Sequence, residues 1–293
     1  MNFPGIIPAA ITPFTPADEV DVAGLRSNLE ALVAAGVGGL VATGTMGEAG
    51  SLSDAERRLV VDTCVEVAAG RIPVIVGVSA GSTAGAVKNA TAAREAGAAA
   101  VMCLPPLNYG GTTGELTAFY ASVAAVGLPI MLYNNPIAAG IDLTPPVIAE
   151  IAAAVDGVVA VKECSGDARR IAELVNDTTL EILVGGDDWA LEGFATGATG
   201  WVSGVANVVP AECLELHAHV EAGRLAEARA LYARLLPLSR LDMTPHLVQH
   251  FKGAMDAVGL TGGPSRAPRL PLDAASQAAL DAALAALRAP VAA

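Results

Sequence analysis

Lys162 closes the run Val158-Val159-Ala160-Val161-Lys162, in which every preceding residue is apolar. An ammonium at the end of such a strand is costly to desolvate. Burial is therefore expected to push its pKa down and leave more free amine near neutral pH, the form that attacks a carbonyl carbon. Beside this reading stands a structural one, in which the stem is buried and the head reaches solvent or the neighbouring Glu163. Tyr133, in Tyr133-Asn134-Asn135-Pro136, offers a phenol that can carry protons, or else packs the interior with its hydroxyl satisfied. Thr43-Gly44-Thr45-Met46-Gly47-Glu48 offers the Thr45 hydroxyl and amides that glycine leaves open to a carboxylate, or is an ordinary glycine-rich turn. In Gly185-Gly186-Asp187-Asp188 no phosphate-loop lysine or dinucleotide fingerprint follows the glycines, and either aspartate can instead cap the next helix.

These residues lie at the ends of strand-like runs, and the runs predict how they meet. Eight are expected: Ile6 to Phe14, Gly39 to Gly44, Val74 to Ser79, Ala100 to Leu104, Ile130 to Asn134, Val158 to Lys162, Ile182 to Gly185 and Gly200 to Gly204. Most are apolar on successive residues, as in strands covered on both faces. Helical patterns separate them, with start signals at Ser53-Asp54-Ala55-Glu56 and Thr144-Pro145. Eight strand-then-helix units predict an α/β fold, a (β/α)8 TIM barrel with its reactive loops on the C-terminal face; a doubly wound open sheet is the alternative. After Asn207 only helices are expected, roughly Pro210 to Ala222, Leu225 to Leu236, Pro245 to Val258 and Asp273 to Leu287. Residues 1–207 thus read as the barrel core. Residues 208–293 read as its last helix plus a C-terminal helical extension of the same domain unit, serving packing or subunit contact. His217, His219, His246 and His250 lie in that extension and read as surface or interface histidines, since no acidic partner stands at metal spacing.

Composition narrows the partners. A net charge of −13 leaves no basic stripe to neutralise phosphates, so nucleic acid is excluded. Gly, Pro and charged residues interrupt every apolar stretch, so no membrane span is expected. Met1-Asn2-Phe3-Pro4-Gly5 lacks the basic and apolar regions of a signal peptide, and a cytoplasmic protein is expected. Cys64, Cys103, Cys164 and Cys213 are far apart and read as small core residues.

Taken in order and spacing, Gly44-Thr45-Met46-Gly47-Glu48, Tyr133-Asn134-Asn135-Pro136, Val161-Lys162-Glu163 and Gly186-Asp187-Asp188 resemble the dihydrodipicolinate synthase and N-acetylneuraminate lyase family of class I Schiff-base enzymes. The resemblance covers the whole chain. It implies Lys162 as the Schiff-base lysine, Tyr133 as the proton-transfer tyrosine, and the Thr45 hydroxyl with the Met46 amide as the cradle for a 2-oxo acid carboxylate. It places Gly186 and Val202 among the substrate-binding positions. It also implies a homotetramer or dimer, and neither metal nor organic cofactor.

Dihydrodipicolinate synthases carry an interface tyrosine where this chain has Leu107, and a carboxylate-binding arginine where it has Ala138. They place a second threonine where this chain has Met46. A lost bidentate guanidinium contact costs on the order of 2–5 kcal/mol, which weighs against a second carboxylate in the substrate. Met131-Leu132-Tyr133-Asn134-Asn135-Pro136, Gly200 to Asn207, Arg266 to Leu272 and Asp167 to Ile171 are similar to the 1-pyrroline-4-hydroxy-2-carboxylate deaminases. That branch implies conversion of the cyclic imino acid to 2,5-dioxopentanoate and ammonia through imine exchange on Lys162. The alternative is a pyruvate-dependent aldolase or lyase, including a 4-hydroxy-tetrahydrodipicolinate synthase or a 2-keto-3-deoxy sugar acid aldolase. A noncatalytic ligand sensor on the same barrel is a third reading.

Overall fold

The computed structural model describes Phe3, residues 5–107 and residues 110–288; of the stretches named above, Met1, Asn2, Pro4, residues 108–109 and residues 289–293 lie outside the described residues. Its strands are Gly5–Pro8 (β1), Leu40–Ala42 (β2), Val74–Gly77 (β3), Ala100–Cys103 (β4), Ile130–Asn134 (β5), Val158–Glu163 (β6), Glu181–Val184 (β7) and Gly200–Ser203 (β8). All pair in parallel in the order β1-β8-β7-β6-β5-β4-β3-β2. The ring closes between β1 and β2. There Ala9 bridges Val41, Ala10 N donates to Val41 O at 2.9 Å, and Gly38 N donates to Ile6 O at 2.8 Å. This is the (β/α)8 barrel that eight apolar runs predict. Its strands are buried on nearly every residue because side chains fill the ring on one face and helices cover the other.

Local chemistry sets the element ends. The helix Asp54–Ala68 opens on a full capping box: Ser53 N donates to Glu56 Oε2 at 2.9 Å, and Glu56 N donates to Ser53 Oγ at 3.3 Å. The helix Pro145–Ala154 starts at the Thr144-Pro145 signal, although the Thr144 hydroxyl makes no cap bond. The expected first strand is cut short. Ile6 to Phe14 is strand only as far as Pro8, and Phe14 instead bridges Val20 antiparallel, beyond Pro13, which has no N–H to offer a ladder.

After β8 the described helices are Pro210–Glu221, which packs on β1 as the barrel's last helix, and then Leu225–Ser239, Leu247–Ala257 and Ala274–Arg288. A turn of 3-10 helix at Arg240–Met243, not foreseen in the sequence, joins the second and third. Side chains tie this segment into the barrel. Lys252 Nζ sits 2.6 Å from Glu48 Oε1 with both side chains buried, and it donates to Pro264 O at 2.7 Å. Arg266 N donates to Glu48 Oε2 at 3.1 Å. The Phe14 ring lies against Lys252 Nζ, 4.3 Å from its centroid, and against the Arg266 guanidinium at 4.2 Å. The surface expectation for the histidines fails at His250, which is buried with its Nδ1 3.1 Å from Thr244 Oγ1. Its ring faces the core of the helical segment, packed near His246 at 6.1 Å between centroids.

Candidate active site

Strand register brings the first two residues together. Tyr133 on β5 and Lys162 on β6 are paired neighbours, so their side chains leave the sheet on the same side, and Lys162 Nζ rests 4.3 Å from the Tyr133 ring centroid. Both are buried, Lys162 at 6% exposure. The Tyr133 hydroxyl accepts a hydrogen bond from Asn135 Nδ2 at 3.0 Å. Glu163 leaves β6 on the opposite side, where it accepts from Asn134 Nδ2 at 2.9 Å and from Ser165 N at 2.5 Å. The alternative in which Lys162 is neutralised by its neighbour Glu163 therefore fails on strand alternation.

The lysine opens into a cavity of about 430 Å³ at the C-terminal ends of the strands. Thr45, Met46, Gly186 and Val202 line it as well, so all six residues singled out in the sequence meet in one place. Thr45 and Tyr133 also border a smaller cavity of about 210 Å³ that contains Leu107, Arg57 and Arg269. Ala138 borders the larger one, which among its described lining has Lys162 as its sole lysine or arginine. Asp187 is neither a pocket group nor a helix cap. It is fully buried and accepts hydrogen bonds from Trp201 Nε1 at 2.9 Å, Gly204 N at 3.2 Å and Val205 N at 2.8 Å, holding the β8 end in place.

Two backbone devices make room. A Cβ at Gly185 would stand 1.9 Å from Cys164 Sγ and 2.9 Å from Lys162 Cε, so only glycine lets the lysine stem pass the end of β7. On β2 the turn carrying Thr45 is bracketed by Thr43 and Glu48, both at positive φ, 51° and 52°. Such strain persists where surroundings over-determine it. Here the Thr43 hydroxyl donates to Gly77 O at 3.2 Å, and Glu48 is locked by Lys252.

The charge state of Lys162 corrects the sequence expectation. Burial is the largest influence and acts downward as expected, but Tyr133, Cys164 and Asp242 outweigh it and the pKa is raised. Burial pushes the Tyr133 phenol and the Cys164 thiol each up to about 12, so both are neutral at pH 7. Asp242, which burial raises to about 6 while Lys162 pulls it back, is the carboxylate left facing the amine. With Tyr133 and Cys164 neutral, Asp242 is the charged group that favours the ammonium at pH 7, and an ammonium must lose a proton before it can act as a nucleophile.

Asp242 is the residue that sequence reading missed. It lines the same cavity from the Arg240–Met243 turn, together with Met243, Thr244 and Leu247. The only signal was a lone carboxylate in Ser239-Arg240-Leu241-Asp242-Met243-Thr244-Pro245, far along the chain from any strand end. Among the described residues, no group of three or more His, Cys, Asp or Glu side chains is placed to hold a metal ion. No described helix is long and apolar enough to cross a membrane.

A buried lysine and tyrosine side by side at the mouth of a parallel barrel define a lyase of the class I aldolase kind, and comparison with known proteins gives the family. Residues 2–287 match the model of the dihydrodipicolinate synthetase family, and the chain belongs to it. It is 39% identical over 288 residues to the 4-hydroxy-tetrahydrodipicolinate synthase of Hyphomonas neptunium, covering 97% of this chain and 98% of that one. It is 38% identical over 290 residues to the enzyme of the same name from Agrobacterium fabrum, covering 96% and 97%. Among solved structures it is similar to dihydrodipicolinate synthase from Thermotoga maritima, with a TM-score of 0.92, 29% identity and coverage of 97% and 98%. That from Aquifex aeolicus superposes with a TM-score of 0.91 at 29% identity, covering 97% of each chain.

Proposed function

We propose that the Lys162 amine condenses with the C2 carbonyl of pyruvate or a pyruvate-like 2-oxo acid, expelling water to give an imine. The protonated imine acidifies C3, so loss of a C3 proton yields an enamine that makes a carbon–carbon bond to an aldehyde, or breaks one in reverse. Tyr133 is the proton carrier. Its phenol is neutral at pH 7 and its hydroxyl is positioned by Asn135. The Thr45 hydroxyl and the turn through Met46 hold the C1 carboxylate, with Gly186 and Val202 forming the facing walls. The observation that carries this reading is the adjacency of Lys162 and Tyr133 in one buried cavity.

The 38–39% identity to 4-hydroxy-tetrahydrodipicolinate synthases over nearly the full chain favours the pyruvate-dependent reading over the deaminase. The deaminase reading keeps one specific support: Ala138 stands where those synthases hold the second substrate's carboxylate, and no described arginine lines the larger cavity. Borohydride reduction with pyruvate, followed by mass spectrometry, tests the imine. A stable adduct on Lys162 is expected, and unmodified protein would end the proposal. Product analysis then separates the branches. Pyruvate consumption with an aldehyde marks the synthase or aldolase, and ammonia release from 1-pyrroline-4-hydroxy-2-carboxylate marks the deaminase. The homotetramer or dimer and the cytoplasmic setting belong to the same proposal, and sedimentation of the purified chain tests the assembly.

A further inference from the structure

We propose that Asp242 is a specificity-determining residue of this cavity: it receives a hydrogen-bond donor, a hydroxyl or an ammonium, on the substrate's carbon chain beyond the imine carbon, and it repels a carboxylate there. The proposal rests on the Schiff-base reading of Lys162.

Three observations carry it. Asp242 is the cavity's one aspartate or glutamate among the described lining residues, and Lys162 its one lysine or arginine. The pair makes no ion-pair contact within 4 Å, unlike the buried Lys252 and Glu48 at 2.6 Å, so amine and carboxylate stand apart on the lining of one cavity. The other lining residues carry no cation: Ile137 and Ala138 come from the short helix after β5, Trp189 from the turn after β7, and beside Asp242 stand Met243, Leu247 and Thr244, whose hydroxyl donates to Leu241 O. A carboxylate arriving there meets a like charge and no guanidinium, whereas a donor meets a half-buried acceptor. Hydrogen bonds to a charged acceptor contribute roughly 1.5–3 kcal/mol.

Burial opposes the Asp242 carboxylate most, as do the carboxyls of Asp188 and Asp187 in the turn after β7, whereas Lys162 on β6 and the Asp187 backbone N–H favour it. Tyr133 and Cys164 face it across the cavity and are neutral at pH 7. Arg240 shares its turn.

The test is borohydride trapping on Lys162 with three 2-oxo acids of equal chain length, 2-oxopentanoate, 5-hydroxy-2-oxopentanoate and 2-oxoglutarate, which end in methyl, hydroxyl and carboxylate. The wild-type chain is expected to trap the hydroxy acid about ten-fold or more faster than 2-oxoglutarate, and Asp242→Asn to narrow that ratio to about three-fold or less. If the variant does not fold, the wild-type ratio measured between pH 5 and 8 replaces it: it should fall as pH drops through about 6 and Asp242 takes up a proton. A wild-type chain that traps 2-oxoglutarate as readily as the hydroxy acid overturns the proposal, and so does a ratio unmoved by both substitution and pH. Failure of the imine reading looks different, since pyruvate itself would then leave no adduct on the wild-type chain.

Discussion

Lys162 Nζ rests 4.3 Å from the centroid of the Tyr133 ring, whose hydroxyl accepts a hydrogen bond from Asn135 Nδ2 at 3.0 Å and lies near enough to the amine to favour its charged form. A ring face attracts a cation and not a neutral amine, so this arrangement fits the resting ammonium and disfavours its loss. Attack on a carbonyl therefore requires a proton to leave first, and the proposed role of the neighbouring phenol is to handle protons once the lysine has become an imine.

Replacing Lys162 with Ala should abolish borohydride trapping with pyruvate and all turnover, with the circular dichroism spectrum unchanged. An adduct persisting in that variant would move the nucleophile elsewhere in the barrel.

Tyr133→Phe keeps the ring over the lysine and removes only the hydroxyl. Turnover should fall about 100-fold or more, the ordinary size of an acid–base contribution. Steady-state rates within a few-fold of wild type would take Tyr133 out of proton transfer.

The raised pKa of Lys162 sets the sign of a pH effect. Only the minor, deprotonated fraction reacts at neutral pH, so the pyruvate trapping rate should climb steadily from pH 6 to 9 without levelling. A plateau by pH 7 would mean that the amine is already neutral at rest, as the sequence alone leads one to expect.

Asp242 gives a stability prediction with the opposite sense. Its carboxyl is raised from 3.8 to about 6 in the folded chain, so the native state binds the extra proton between those values, and stability falls as pH rises through that window. Asp242→Asn should remove this loss. The variant's advantage in unfolding free energy, read from denaturant titrations, should be absent near pH 3.5 and grow to on the order of 1–3 kcal/mol by pH 7. A pH-independent difference would rule out a perturbed carboxyl.

Lys252→Met strips the buried partner from Glu48, an uncompensated charge that costs roughly 3–5 kcal/mol. Urea unfolding should show that loss, and adding Glu48→Gln should recover part of it. Equal stability of wild type and single variant would mean that Arg266 and Arg269 suffice to hold Glu48.

Much of this architecture was legible because periodicity and strand ends are local properties. β5 was bounded correctly from Ile130-Met131-Leu132-Tyr133-Asn134 alone, and the Ser53 capping box announced its helix. Once eight apolar runs closed a ring, residues at their C-terminal ends had to converge, which placed Thr45, Tyr133, Lys162, Gly186 and Val202 around one space. What escaped was set by tertiary context. The Lys162 pKa depends on Asp242, 80 positions away on a turn with no periodic signature, and burial alone predicts the wrong direction. Glu163 looked like a partner for the lysine only until alternation sent it to the other face.

The short turn from Arg240 to Met243 separates two tasks along the chain. On the proposed reading, bond making resides in barrel strands whose every neighbour is constrained, whereas the acidic wall of the cavity hangs on a four-residue connector between helices. Exchanging that connector among relatives would retune what such a barrel accepts without disturbing the amine that reacts.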